Sequence, residues 1–180
     1  MSQYKIIFTG PVGAGKTTAI TSLSDVPMMK TDEVASDMTK ERKAETTVAM
    51  DYGIMLLNDG GEKIHLYGTP GQERFDFMWD ILTVGGIGLV LLLDNTRADP
   101  FKDMRFFLKS FSDFIQKTGI AIGVTQMDIN TKLTIDDYHQ ELQELDMKIP
   151  VFSVDARERK DVSILVQALM FSLDPGIEEV

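Results

Sequence analysis

Apolar residues along the chain fall into two kinds of pattern: short unbroken runs, and longer stretches with an apolar residue every third or fourth position. Residues 4–9, Tyr-Lys-Ile-Ile-Phe-Thr, read as a short strand. A glycine-rich run at 10–15 comes next, then a helix ending near Pro27. Residues 28–46 are polar without clean periodicity and are expected to form a long mobile loop, a length that in compact domains goes with function or disorder. Residues 47–57 and 63–67 read as two strands around Asn58-Asp-Gly-Gly-Glu62, a turn suited to a hairpin. The run at 87–93 is a buried strand. Asp99 then caps a helix with Pro100 in its first turn and Met104, Phe107, Phe111 and Phe114 facing the core. Residues 120–125 form another strand. Thr134 with Asp137 makes a capping pair for a helix that buries Tyr138, Leu142 and Leu145. A last strand at 150–154 precedes a helix with Val162, Leu165 and Leu169 inward, stopping at Asp174-Pro-Gly176.

Strands that alternate with helices pair in parallel, because parallel neighbours need a crossover between them. The one hairpin adds an antiparallel edge. The predicted fold is therefore a three-layer α/β sandwich with a six-stranded, mostly parallel sheet, helices on both faces, and its ligand at the carboxyl ends of the strands. At 180 residues the chain suits a single domain, 1–180, and shows no repeat or linker-like segment.

Composition narrows the partners. A formal net charge of -10 argues against non-specific binding to nucleic acid or anionic lipid, both driven by neutralising phosphate. It leaves room for a phosphate ligand, which needs only a few well-placed donors. With no cysteine there is no disulfide framework, thiolate metal site or thiol nucleophile, and a reducing cytoplasm fits. The apolar run 87–93 is too short to span a bilayer. Ser2 after the initiator methionine and the ending Ile-Glu-Glu-Val180 offer no lipidation signal, so no direct membrane anchor is expected. His65 and His139 lack metal-ligand spacing and read as ordinary strand or surface residues.

The strongest chemical signal is Gly10-Pro-Val-Gly-Ala-Gly-Lys16-Thr17, a full P-loop pattern with a strand before it and a helix after it. Glycines let the backbone wrap with its N–H groups inward, making an anion nest at a positive helix end. Gly10, Gly13, Ala14, Gly15, Lys16, Thr17 and Thr18 are the expected phosphate-binding residues. Lys16 neutralises β- and γ-phosphate charge, and the Thr17 hydroxyl is offered to Mg²⁺. A P-loop alone does not separate an ATPase from a kinase or a GTPase.

Further along, Gly68-Thr-Pro-Gly71-Gln72-Glu73-Arg74-Phe75 and Thr47-Val-Ala-Met-Asp51 stand where small GTPases carry their two switch motifs. Over essentially its whole length the chain resembles the Ras superfamily, and the Thr-Pro-Gly-Gln form resembles its prokaryotic branch (MglA-like and Rup-like, bacterial). The resemblance implies a Ras-like G domain that binds GTP or GDP with Mg²⁺ and acts as a molecular switch, its switch segments at 28–47 and 68–80. Thr47 would bind Mg²⁺ and the γ-phosphate, the Gly71 N–H would hold the γ-phosphate from the other side, and Gln72 would orient the attacking water. Catalysis then rests on positioning and charge neutralisation by Lys16, Thr47 and Gln72. A Roadblock-type activating protein and an effector are the implied partners.

Four departures qualify that picture. The switch II aspartate of the family is Gly68 here, with Asp51 and Asp94 as possible substitutes and Asp94 better suited to capping its strand. The guanine-reading motif, Asn-Lys-x-Asp in the family, is Thr125-Gln126-Met127-Asp128; Asp128 keeps the acceptor for guanine N1–H and N2–H₂, unless it only starts a turn. The last recognition loop reads Asp155-Ala156-Arg157, where the Ala156 N–H still suits guanine O6. Val12 sits beside the γ-phosphate position and implies slow hydrolysis. Arg42 and Arg74 are candidates for an internal arginine finger. Phe75, Phe77, Met78 and Trp79 are either a docking patch or the buried face of a helix. Two other functions stay open: a nucleotide-binding interaction module with little hydrolysis, and a P-loop ATPase or small-molecule kinase.

Overall fold

The computed structural model of the chain describes residues 3–30, 50–57, 61–70 and 77–173. In chain order the elements are β1 (Gln3–Thr9), α1 (Lys16–Leu23), β2 (Met29–Lys30), β3 (Asp51–Leu57), β4 (Glu62–Gly68), α2 (Phe77–Leu82), β5 (Gly88–Asp94), α3 (Pro100–Ser110), α4 (Ser112–Lys117), β6 (Ile120–Thr125), α5 (Ile135–Glu144), β7 (Val151–Ser153) and α6 (Arg159–Leu173).

The strands form one sheet in the order β2-β3-β4-β1-β5-β6-β7. Pairings from β4 to β7 are parallel, and β2 and β3 join antiparallel at one edge. Alternate residues of a strand face opposite sides, and both sides here are covered. Ile6, Phe8, Ile64, Leu66, Val90 and Leu92 pack against α1 and α6. Ile7, Leu89, Leu91 and Leu93 pack on the other face against Trp79, Met104, Phe107, Tyr138 and Leu142. Every residue of β5 is buried, which explains why the central strand reads as an unbroken apolar run.

The expected architecture holds, with corrections. The sheet has seven strands, because Met29–Lys30 pairs with Asp51 and Tyr52; this two-residue strand comes from the start of the segment expected to be a loop. The rest of that segment, 31–46, lies outside the described residues, as does most of the hairpin turn. The Asp99 cap and the Thr134–Asp137 capping box form as expected. The helix expected to run through Phe114 breaks at Phe111 into α3 and α4, although Phe111 N–H still donates to Phe107 O and Ile115 N–H to Phe111 O. Leu145 is exposed rather than inward, because α5 ends there and it serves as the C-cap.

The open edge of β3 beyond β2 is closed by the turn after α1. Ser24 Oγ accepts the Ile54 N–H at 3.0 Å, Asp25 Oδ2 accepts the Leu56 N–H at 2.7 Å, and Asp25 N–H donates to Ile54 O at 2.7 Å. Those groups are no longer available for another strand to pair with.

Candidate nucleotide site

β1 lies where the sheet changes direction of growth, with β4 on one side and β5 on the other, and the loop leaving its carboxyl end is where α/β sheets place ligands. Gly10 has φ +146, and a Cβ there would lie 2.1 Å from the Leu92 carbonyl oxygen. Only glycine fits so close to β5. Gly15, at φ +97, caps α1 without a side chain, and its missing Cβ would be 3.0 Å from Ala156 Cβ. Among the described residues the backbone N–H groups of Gly13, Gly15, Lys16, Thr17 and Thr18 find no protein acceptor. Unpaired donors at the positive end of a helix are the chemistry an oxyanion needs.

Lys16 Nζ folds back to donate to the carbonyls of Gly10 at 2.7 Å and Pro11 at 2.8 Å. Burial lowers its pKa to about 8; the nearby Asp51 carboxylate pulls it up and the Arg97 guanidinium pushes it further down. The Thr17 hydroxyl donates to Asp51 Oδ2. Thr9 and Thr69, both buried, share a hydroxyl–hydroxyl bond of 2.8 Å just behind this point.

Two clefts meet here. One, of about 620 Å³, is lined by Val12, Lys16, Thr17, Asp51, Gly68 and Thr69. The other, of about 700 Å³, is lined by Thr125, Gln126, Asp128, Asp155, Ala156 and Arg157. Gly13, Gly15 and Thr18 line both. A cavity with a cationic, amide-rich end and a second, carboxylate-bearing end fits an elongated ligand with a polyphosphate and a base.

At the second end, Thr125 is buried, and its hydroxyl lies 3.0 Å from Ala14 O and 3.1 Å from Leu93 O. It thus ties the P-loop to β5 and β6 from inside. Gln126 adopts φ 60, and its side-chain amide reaches the Gly13 carbonyl at 3.5 Å. Asp128 is exposed at the rim. Arg157 forks onto its neighbour, Nε to Asp155 Oδ1 at 2.9 Å and Nη2 to Oδ2 at 2.7 Å, which holds the Asp155 carboxyl well below its usual range. The hydrogen bond to Asp155 is the main cause that raises the Arg157 pKa, and the Asp128 carboxylate adds a smaller upward push. The Ala156 N–H has no protein acceptor among the described residues.

Sequence reading missed a buried network behind this loop. Asn95 Nδ2 donates to Asn130 O at 2.7 Å, Asn130 Nδ2 returns to Asn95 O at 2.9 Å, and Tyr138 OH donates to Asn95 Oδ1 at 2.6 Å. It pins the Gln126–Asn130 turn to β5 and α5. The only signal was an asparagine directly after a buried strand. Asp94 caps as expected, its Oδ1 accepting from Thr96 N–H at 2.8 Å and Thr96 Oγ1 at 2.6 Å. Thr47, Gly71, Gln72, Arg42, Arg74 and Phe75 lie outside the described residues. Trp79 is core: it is buried and stacks on Phe111 with centroids 5.0 Å apart, and its Nε1 has no partner among the described residues.

Residues 27–174 match the family described as conserved hypothetical ATP binding protein. The chain belongs to this family. It is 33% identical over 125 residues to an uncharacterised protein of Methanocaldococcus jannaschii, covering 66% of this chain and 73% of the relative. It is 26% identical over 157 residues to the Ras-related protein Rab-1C of Dictyostelium discoideum, covering 86% of this chain and 72% of that one. RabC of the same organism is 22% identical over 178 residues, covering 95% and 84%. With the α/β sheet and the P-loop, these low-identity relatives support a Ras-like GTPase superfamily and suggest a nucleotide-binding, GTPase-like protein. The family match begins after the P-loop, so the phosphate cradle rests on its own geometry. Among the described residues no helix is long and apolar enough to cross a membrane.

Proposed function

We propose that the chain is a one-domain switch that binds GTP or GDP with Mg²⁺ and hydrolyses GTP slowly. The observation that carries this reading is the joining of two clefts at the P-loop, Lys16 and Thr17 in one and Asp128 at the other. The phosphates lie against the unpaired amides of Gly13 and Gly15 to Thr18, and Lys16 turns from its two carbonyls toward them. The Thr17 hydroxyl and Thr47 hold Mg²⁺, which when bound neutralises charge on the β- and γ-phosphates. Gln72 orients a water whose oxygen bonds the γ-phosphorus as the β–γ bridging bond breaks, the leaving oxygen staying on GDP. Gly71 and Thr47 tether the switches to the γ-phosphate, and both tethers are lost with it. Val12 is 57% exposed beside the phosphate cleft, where its branched side chain crowds an incoming arginine and keeps turnover low.

At the base, Asp128 accepts the N1–H and N2–H₂ of guanine, a donor pair adenine lacks. Adenine remains the second reading, because the family's description names ATP. By its resemblance to the prokaryotic branch, the switch works in the cytoplasm with a Roadblock-type activator. The deciding experiment is displacement of a fluorescent GDP analogue by unlabelled GTP and ATP, paired with phosphate release in a single turnover. Tighter displacement by GTP with slow, Mg²⁺-dependent release supports the proposal. A preference for ATP ends the guanine assignment, and binding without release beyond the spontaneous rate leaves a nucleotide-controlled interaction module.

A further inference from the structure

Position 68, where the Ras-like resemblance calls for a carboxylate near the cation, has no side chain. The antiparallel register of β3 and β4 sets Asp51 directly opposite Gly68. A Cβ added to Gly68 would lie 3.0 Å from Ile20 Cδ1, 3.3 Å from Asp51 Cβ and 3.6 Å from Asp51 Oδ2. The space a side chain at 68 would use is thus crowded by the Ile20 methyl group and the Asp51 Cβ, and the Asp51 carboxylate, coming from the neighbouring strand, lies in van der Waals contact with it.

Asp51 also has the right partners. A threonine hydroxyl that gives a lone pair to a cation needs somewhere to send its single proton, and Asp51 Oδ2 already accepts it from Thr17. Asp51 Oδ1 has no protein donor among the described residues, and a cation-bound water is the donor that suits it. Asp51 lines the phosphate cleft with Lys16 and Thr17. Asp94, the other candidate, is buried and committed to Thr96, and it lines neither cleft.

We propose that Asp51 is the carboxylate that steadies the divalent cation beside Thr17, reaching across from β3 into the place left by Gly68. It acts through Thr17 and through water, as a positioning residue. The inference rests on the nucleotide and Mg²⁺ reading above, and its test separates the two.

The experiment uses the full chain loaded with a fluorescent GDP analogue. Mn²⁺ affinity of the loaded protein is read by electron paramagnetic resonance, and nucleotide affinity is measured separately in EDTA. Asp51→Asn is expected to weaken Mn²⁺ binding about 10-fold or more, the usual cost of losing an outer partner of a metal ligand. Nucleotide affinity in EDTA should stay level or tighten, since a negative charge has been removed from the phosphate cleft; that measurement also shows that the variant is folded. Asp51→Ser provides a second neutral variant with a smaller side chain. The exchange of Asp51→Gly with Gly68→Asp should recover part of the lost Mn²⁺ affinity, because it returns a carboxylate to the same space from the other strand. Full Mn²⁺ affinity in a folded neutral variant overturns the assignment while the nucleotide reading stands. Failure of the wild-type chain to bind any guanine or adenine nucleotide, with Mg²⁺ or in EDTA, overturns both.

Discussion

Lys16 allows the phosphate assignment to be tested without any substitution. Its ammonium is half-buried against two carbonyls, and its pKa falls from 10.5 to about 8. At 1.36 kcal/mol per pKa unit that corresponds to about 3 kcal/mol of discomfort for the charged form. A lowered lysine pKa means that the unfolded chain holds the proton more tightly. The penalty on folding is therefore fully present below pH 8 and fades as pH rises toward 10.5. A polyphosphate reverses the balance by favouring the ammonium and raising its pKa. Binding near pH 8 must then draw in protons. With a free-state pKa of about 8, uptake should rise from about a quarter of a proton at pH 7.5 to about three quarters at pH 8.5. Calorimetric titration with GDP in two buffers of different ionisation enthalpy reads this number directly, in a range where GDP itself hardly titrates. Asp51→Asn removes a charge that holds the Lys16 pKa up, so uptake at pH 7.5 should increase in that variant. Equal apparent enthalpies in both buffers at pH 8 would refute the idea that Lys16 meets the phosphates.

Three substitutions probe other parts of the site. Asp128→Asn should lower guanine affinity by about 3 kcal/mol, roughly 100-fold, while xanthine nucleotides gain, since hydrogen bonds to a charged acceptor are worth about 1.5–3 kcal/mol each; unchanged selectivity in competition binding would mean another residue reads the base. Tyr138→Phe strands the buried Asn95 Oδ1 and should cost about 1–3 kcal/mol in urea unfolding, with faster nucleotide release as the Asp128 turn loosens; a stability loss with unaltered release would confine the network to the core. Gly10→Ala forces a Cβ to within 2.1 Å of the Leu92 carbonyl and should destabilise the fold by about 3 kcal/mol or more, and a wild-type melting temperature would show that the β1–β5 packing is looser than described.

What was legible in the chain, and what was not, follows from where each constraint comes from. The P-loop can be read because its job is done by backbone, and only glycine satisfies Gly10 beside β5 and Gly15 beside Ala156. β5 can be read because burial on both faces removes any need for polar alternation. The strand Met29–Lys30 cannot, since two residues carry no period and their pairing is set by register with Asp51 and Tyr52. The break at Phe111, whose ring stacks on Trp79 about thirty residues upstream, leaves the helical spacing of apolar residues intact and so gives no signal in the sequence. Asn95, Asn130 and Tyr138 each look like ordinary turn or helix residues until the fold brings them together. Asp51 stood as one of two candidates for the missing carboxylate, and its register opposite Gly68, its bond from Thr17 and the commitment of Asp94 to Thr96 set the two apart.

The buried hydroxyl of Thr125 has a further consequence. It joins Ala14 and Leu93 in one seam, so the loop proposed to grip the phosphates and the strand leading to the proposed base reader share a single mechanical joint. A ligand arriving at such a site does not have to freeze two independent loops, and the entropy of ordering them has already been lost during folding. The same joint makes the halves of the ligand cooperative: a nucleotide anchored at one end inherits a cradle already shaped at the other.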